Sequence, residues 1–304
     1  MLFAILILAA TTPVAAPQPQ AAPVDSVSLA KSLDDRMTVQ VKVAGQGPYR
    51  FLVDTGSERT VISRELAERL GLAGGRRVTL HSVLGSSGVN TVDIPSMSMS
   101  RGQFSIAGAP ALDEAHIGAD GMLGIDSLKK QRVLFDFKAG TMSVSPSVDP
   151  VTEMDGETVV VRARARKGRL IFTNAVVDDN HVTVIIDTGS QISVGNPRLM
   201  ERLSRGSSAA KPIVIESVTG EKGSAKLAIL NDLQLGGMHI KSLPVAFADA
   251  HIFRQLNLDR KPALLLGMNA MRAFDRVSID FASKRVRFVL PETGMLDVRQ
   301  MAAR

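Results

Sequence analysis

Two segments of this chain nearly repeat one another: FLVDTGSERTVIS, with its acid at Asp54, and VIIDTGSQISVGN, with its acid at Asp187, 133 residues further on. Each is an apolar run that ends on an aspartate and breaks at Thr-Gly-Ser, the pattern of a buried strand entering a turn. A single such tetrapeptide carries little weight, so the stronger test is to lay one half of the chain on the other. At the same offset Ser63, ahead of RELAERL, meets Asn196, ahead of PRLMERL. Both are N-cap residue types, and Pro197 suits a first helical position. HSVLGSSG (81–88) aligns without gaps to ESVTGEKG (216–223), sharing Ser82/Ser217, Val83/Val218, Gly85/Gly220 and Gly88/Gly223. Both read as glycine-tipped hairpins. GMLGIDSL, with Gly124, matches LLLGMNAM, with Gly267, and each leads into a strand, RVLFDF and then RVSIDF. Four landmarks recur in one order, so the chain is an internal duplication and must fold as two like halves.

Short runs such as MTVQVKV, RFLVD, RVTLHSV, RVLFDF and TMSVS, separated by Gly, Pro and Ser, have the spacing of an all-β fold with short helices. Expected boundaries are a signal and tether over 1–24, an N-terminal lobe over 25–147, a C-terminal lobe over 155–291 and a tail over 292–304. The polar stretch SPSVDPVTEMDG separates the lobes. With no Trp and one Tyr, the core is aliphatic, with methionines filling space, and stacking platforms for single-stranded nucleic acid are not expected. The absence of Cys removes disulfides, thiol catalysis and Cys-ligated metal. His81, His116, His181, His239 and His251 include no pair at helical spacing, so neither a zinc site nor any other cofactor is expected.

The net charge of +6 includes VVVRARARKGR, where Arg162, Arg164 and Arg166 alternate with Ala. Period two predicts one strand with a solvated arginine face, a simpler reading than a nucleic-acid groove. The opening MLFAILILAATTPVAA has the layout of an export signal, which points to a periplasmic or secreted protein. An uncleaved N-terminal membrane anchor is the other reading, and PQPQAAPV after it is a tether with nothing to bury. LPETG at 290–294 reads as a turn near the end of the chain, not as a wall-sorting signal.

An aspartate that follows a buried strand is held rigidly and desolvated, and the glycine two residues on lets another backbone approach it closely. Two such loops related by a local two-fold axis set carboxyl against carboxyl, and the pair then shares one proton. A pair of this kind can activate a water for attack on a carbonyl and protonate the carbonyl oxygen.

On these residues the chain resembles aspartic proteases of the retropepsin and pepsin type, in an exported bacterial retroviral-like form. The similarity runs from about residue 30 to 290, through the two DTGS segments, the flap-like HSVLGSSG and ESVTGEKG, and Met122-Leu123-Gly124 with Leu265-Leu266-Gly267. It implies two tandem retropepsin-like β-barrel lobes, a catalytic dyad of Asp54 and Asp187, and Thr55 and Thr188 cross-linking the loops beneath it. It further implies Gly56 and Gly189 beside the carboxylates, Ser57 and Ser190 bonded to their outer oxygens, and flap residues Ser82, Val83, Gly85, Ser217, Val218 and Gly220 over an extended peptide. The shared-proton dyad is the model chemistry of that family. Unlike pepsins, neither hairpin contains Tyr and the chain has no Cys; both hairpins are kept, as in two fused retropepsin units. The leading expectation is a monomeric endopeptidase acting on polypeptides at one intrachain site. Lobes that pair between chains, and a silent peptide-binding module in the same cleft, are the competing readings.

Overall fold

The computed structural model describes residues 37–99, 102–148, 154–203, 210–294 and 296–298. The expected signal and tether over 1–24 lie outside them. The first half contributes β1 (Val39–Val43), β2 (Gln46–Val53), β3 (Val61–Ser63), α1 (Arg64–Arg69), β4 (Gly74–His81), β5 (Ser86–Met99), β6 (Gly102–Leu112), α2 (Glu114–Ile117), β7 (Gly121–Leu123), α3 (Ile125–Leu128), β8 (Gln131–Asp136) and β9 (Thr141–Pro146). The order β1-β2-β7-β3-β6-β5 closes on itself through a β1–β5 pairing, and β4 hangs from β5 as a hairpin arm.

The second half opens with β10 (Thr158–Arg162) and β11 (Arg164–Arg166), and then runs through the same sequence of elements. These are β12 (Arg169–Val177), β13 (Asn180–Ile186), β14 (Ser193–Gly195), α4 (Pro197–Leu203), β15 (Lys211–Glu216), β16 (Lys222–Leu235), β17 (Met238–Phe247), α5 (His251–Gln255), β18 (Ala263–Leu266), α6 (Met268–Met271), β19 (Arg276–Asp280) and β20 (Arg285–Val289). Strands β12-β13-β18-β14-β17-β16 form the matching ring, closed by β12–β16, with β15 as the hairpin arm. The duplication read from the sequence is therefore a duplication of topology, strand for strand.

Local chemistry accounts for the repeated pieces. β1 alternates buried valines with exposed Gln40 and Lys42, as one-sided burial requires. The Ser63 hydroxyl accepts from the Leu66 N–H at 3.1 Å, and the Asn196 amide oxygen accepts from the Leu199 N–H at 2.9 Å. Both helices are thus capped by the residues expected from the sequence.

The halves are joined by a third sheet, β10-β20-β19-β8-β9. Its centre is the antiparallel pair β8–β19, in which RVLFD meets RVSID with Arg132 opposite Asp280 and Arg276 opposite Asp136. Each arginine pairs with the other strand's aspartate, Arg132 with Asp280 at 3.3 Å and Arg276 with Asp136 at 2.8 Å. One buried core runs through both halves and includes Phe51, Phe135, Phe172, Phe274 and Phe288.

Two sequence expectations need correction. The arginine-rich run is two strands, because the chain leaves the joining sheet at Ala163 and enters the second barrel; Arg162 pairs with Arg285 in one sheet and Arg164 with Ile171 in the other. Arg162, Arg164 and Arg166 are all exposed. The stretch after 291 is also tied down in part, since Leu296 and Val298 are buried in the common core and the Leu296 carbonyl accepts from the Lys241 N–H at 2.7 Å.

Candidate active site

Each Asp-Thr-Gly loop leaves the end of a central barrel strand, β2 or β13, where the chain is tied to a parallel neighbour. The Asp54 N–H donates to the Leu123 carbonyl at 2.9 Å, and the Asp187 N–H to the Leu266 carbonyl at 3.1 Å. Behind the loops, Gly124 and Gly267 pass so close to Arg59 and to Ser190 and Ile192 that a Cβ at either would meet backbone atoms. The same glycines donate to Thr60 Oγ1 at 3.1 Å and to Ser193 Oγ at 3.0 Å.

The loops meet across the pseudo-two-fold axis. The Thr55 N–H donates to Thr188 Oγ1 at 3.2 Å, and the Thr188 N–H to Thr55 Oγ1 at 3.1 Å. Each hydroxyl in turn donates to the opposite strand, Thr55 to the Ile186 carbonyl at 2.8 Å and Thr188 to the Val53 carbonyl at 2.7 Å. All four groups are buried, so truncating either threonine strands two partners in a dry interior. Thr55→Val and Thr188→Val are each expected to cost about 1–3 kcal/mol of stability, read as a lower urea midpoint with an unchanged m-value. A midpoint unaltered in both variants would contradict a cross-linking role.

Above this cross-link the two carboxyls face each other, with Asp54 9% and Asp187 7% exposed. Oδ1 of Asp54 accepts from the N–H groups of Gly56 at 2.7 Å and Ser57 at 3.0 Å. Oδ1 of Asp187 accepts from the Gly189 N–H at 3.1 Å. Each glycine also lies against the other loop's acid: a Cβ on Gly56 would stand 2.6 Å from Asp187 Oδ1, and one on Gly189 would overlap the Asp54 carboxyl. Burial pushes both acids up. For Asp54 the two backbone donors, Arg169 and a hydrogen bond with Asp187 work against that rise. For Asp187 the Asp54 charge adds to burial and lifts it to about 7. Two carboxyls buried against each other resist ionising together, which favours a state with one proton between them.

The serine hydroxyls depart from expectation. Ser57 donates to the Arg59 carbonyl at 2.8 Å and Ser190 to the Ile192 carbonyl at 2.6 Å, because each side chain folds back on its own turn. It is the Ser57 N–H that serves the carboxylate.

Arg169 was not distinguishable from its solvated neighbours in the sequence. It is 4% exposed, donates to the Gly56 carbonyl through Nε at 3.0 Å and Nη2 at 2.7 Å, and pairs with Glu58 at 3.0 Å. Its charge favours the ionised form of both aspartates. One signal was available: residue 36, at the same offset of 133, is also an arginine, though it lies outside the described residues. Thr60 with Asp126 and Ser193 with Asn269 were likewise missed. Asp126 accepts from the Thr60 hydroxyl at 2.7 Å, and Asn269 from the Ser193 hydroxyl at 2.8 Å.

The two hairpin tips, 82–85 and 217–221, reach across the molecule. Val83 packs on a cluster of the second half with Ile185, Val194 and Leu265, while Val218 packs on one of the first half with Leu52, Val61 and Met122. His81 stacks on His251 with ring centroids 4.1 Å apart. Gly220, at φ +79°, lies against the His116 ring, where a Cβ would stand 2.6 Å from Nε2. Its aligned partner Gly85 has no such constraint; a Cβ there would approach Glu221 at 3.3 Å.

A family model described as aspartyl protease matches residues 39–127 and 173–270, one span in each half of the duplication. No curated protein in the comparison matches the chain.

Proposed function

Starting from the fact that the chain belongs to the aspartyl protease family, and so to a class of hydrolases, we propose that it is an endopeptidase that cleaves extended polypeptides at one site between its two halves. The observation that carries this reading is the Asp54–Asp187 pair, buried, each acid set against the other loop's glycine and backed by reciprocal threonine bonds within one chain. A water is held between the two carboxyls, and the substrate carbonyl lies against it, within reach of Asp187. Ionised Asp54 takes a proton from the water as its oxygen attacks the carbonyl carbon, and protonated Asp187 gives its proton to the carbonyl oxygen. The resulting gem-diol collapses when Asp54 returns its proton to the amide nitrogen, the C–N bond breaks and Asp187 recovers a proton from a diol hydroxyl. No metal or cofactor takes part in this scheme.

Fixed N–H groups and a desolvated pair supply the electrostatics without reorganisation. The hairpins close over the peptide, whose backbone adds to them as a strand. A single-chain site is favoured by the cross-links, because the partner that a lone lobe would seek in another chain is present in this one. Action outside the cytoplasm, in the periplasm or medium, is the companion proposal and rests on the apolar N-terminal stretch.

Since the dyad must keep one proton, cleavage should decline as pH rises through about 7. It should be retained on the acid side until Asp54 also protonates. The test is kcat/KM on a peptide library from pH 3 to 9, with molecular mass measured alongside. A rate that climbs steadily above pH 8 would contradict the shared-proton dyad. Peptide binding without cleavage at every pH would identify the silent module, and activity lost on dilution would identify pairing between chains.

A further inference from the structure

The two hairpins do more than lie near one another. Glu221, at the end of the second tip, accepts from Ser82 Oγ of the first tip at 3.0 Å and from Ser87 Oγ in a short hydrogen bond. Ser82 Oγ is itself fixed by the N–H groups of Leu84 at 3.2 Å and Gly85 at 3.1 Å. One carboxylate thus holds two hydroxyls of the opposite hairpin, each charge-assisted. Both serine bonds hold Glu221 below its ordinary carboxyl range, so its charged form is the one that fits this contact. The arrangement is asymmetric: at the offset that aligns the hairpins Glu221 matches Ser86, so the first hairpin supplies only donors to this contact and the second the acceptor.

Each tip is also committed to the other half of the molecule. Val83 and His81 rest on the second half, at its apolar cluster and at His251. Val218 and Gly220 rest on the first, at its cluster and at His116. Neither hairpin can lift by itself without breaking both its own docking and the Glu221 contacts.

We propose that Glu221 is a positioning residue that couples the two hairpins into one lid, so that they open and close over the peptide together. The assignment of the lid to peptide capture rests on the proposed endopeptidase function; the coupling of the hairpins does not. Glu221 touches no reacting atom, so its loss acts on substrate capture and leaves the dyad chemistry in place. For Glu221→Ala, KM for an extended peptide is expected to rise roughly 5- to 30-fold while kcat changes by less than about 3-fold. Glu221→Gln, which keeps one amide oxygen as acceptor, should fall between. Ser82→Ala/Ser87→Ala should reproduce the effect of Glu221→Ala, and the triple variant should be no worse than either, because all three remove one interaction.

The coupling itself is read without activity. The chain has no cysteine, so Asn90→Cys and Ser224→Cys, exposed sites on the two hairpin arms, can carry nitroxide labels on the full-length protein. Double electron–electron resonance should give one narrow distance distribution, broadened and shifted to longer distance by Glu221→Ala and by the serine pair. An unchanged distribution in Glu221→Ala, or effects of Glu221 and the serines that multiply, would overturn the proposal. Broadening in a protein that cleaves no peptide would uphold the coupled lid and reject the endopeptidase reading. Cleavage with distribution and KM both insensitive to Glu221 would do the reverse.

Discussion

Asp187→Asn should abolish peptide cleavage and at the same time yield a protein more stable than its parent at pH 8. The first effect follows because an amide neither holds the dyad's proton nor lets Asp54 share one, and general acid–base catalysis of this kind is worth at least about 10²–10⁴-fold in kcat. The second follows from the rise of Asp187 from 3.8 to about 7 on folding. Between those values the folded protein binds the proton more tightly than the unfolded chain, so the native state is favoured below pH 4 and loses that advantage as pH climbs through 7. Above 7 Asp187 must carry its charge while buried against the other acid. Removing one charge should restore on the order of a few kcal/mol, and raise the melting temperature by several degrees. Asp54→Asn should be equally inactive, and the double variant no worse, since the two acids act as one unit. The decisive comparison is kcat with thermal melts at pH 4 and pH 8. Half the parental rate in either single variant would reject the single site. A melting temperature at pH 8 below the parent's would reject the buried charge pair.

Gly56→Ala and Gly189→Ala should be nearly as damaging, although neither glycine carries a reactive group. A methyl at Gly56 would stand 2.6 Å from Asp187 Oδ1, and one at Gly189 would occupy the place of the Asp54 carboxyl. The obstruction in each case is the opposite acid, which is itself held by N–H groups and cannot swing away without losing them. A misplacement near 1 Å at reacting groups costs about 10²-fold or more in rate. The overpacked contact should also cost about 1–3 kcal/mol of stability. Kinetics with the variant enzymes, normalised to folded protein by circular dichroism, would measure this. Rates within 3-fold of the parent would mean that the carboxyls are not confined by these glycines.

The barrels, the caps and the pairing of Asp54 with Asp187 were legible because a duplicated chain prints each landmark twice. Ser63 and Asn196 could be matched as caps by residue type and offset alone. Arg169 was not legible in the same way, because its neighbours Arg162, Arg164 and Arg166 have the same charge and are exposed. What separates it is three-dimensional, namely that β12 begins beside the other half's Gly56 carbonyl. The break at Ala163 was hidden for a related reason, since period-two patterning reports a strand but not the sheet to which each piece belongs. The serine hydroxyls were misplaced because an Asp-Thr-Gly-Ser string does not say whether the side chain or the N–H of its last residue turns to the acid.

The joining sheet also sets a timetable. Strand β8 pairs on one side with β9 and on the other with β19, which is more than 130 residues away. A chain emerging from the ribosome therefore carries an unfinished sheet edge until residues 276–280 have been made. The half-site around Asp54 waits equally long for a rigidly seated counterpart. In the endopeptidase reading, a nascent molecule is harmless to its surroundings for almost the whole of its synthesis. In that reading, a chain cut short before RVSID lacks the strand that joins the halves and should be inactive.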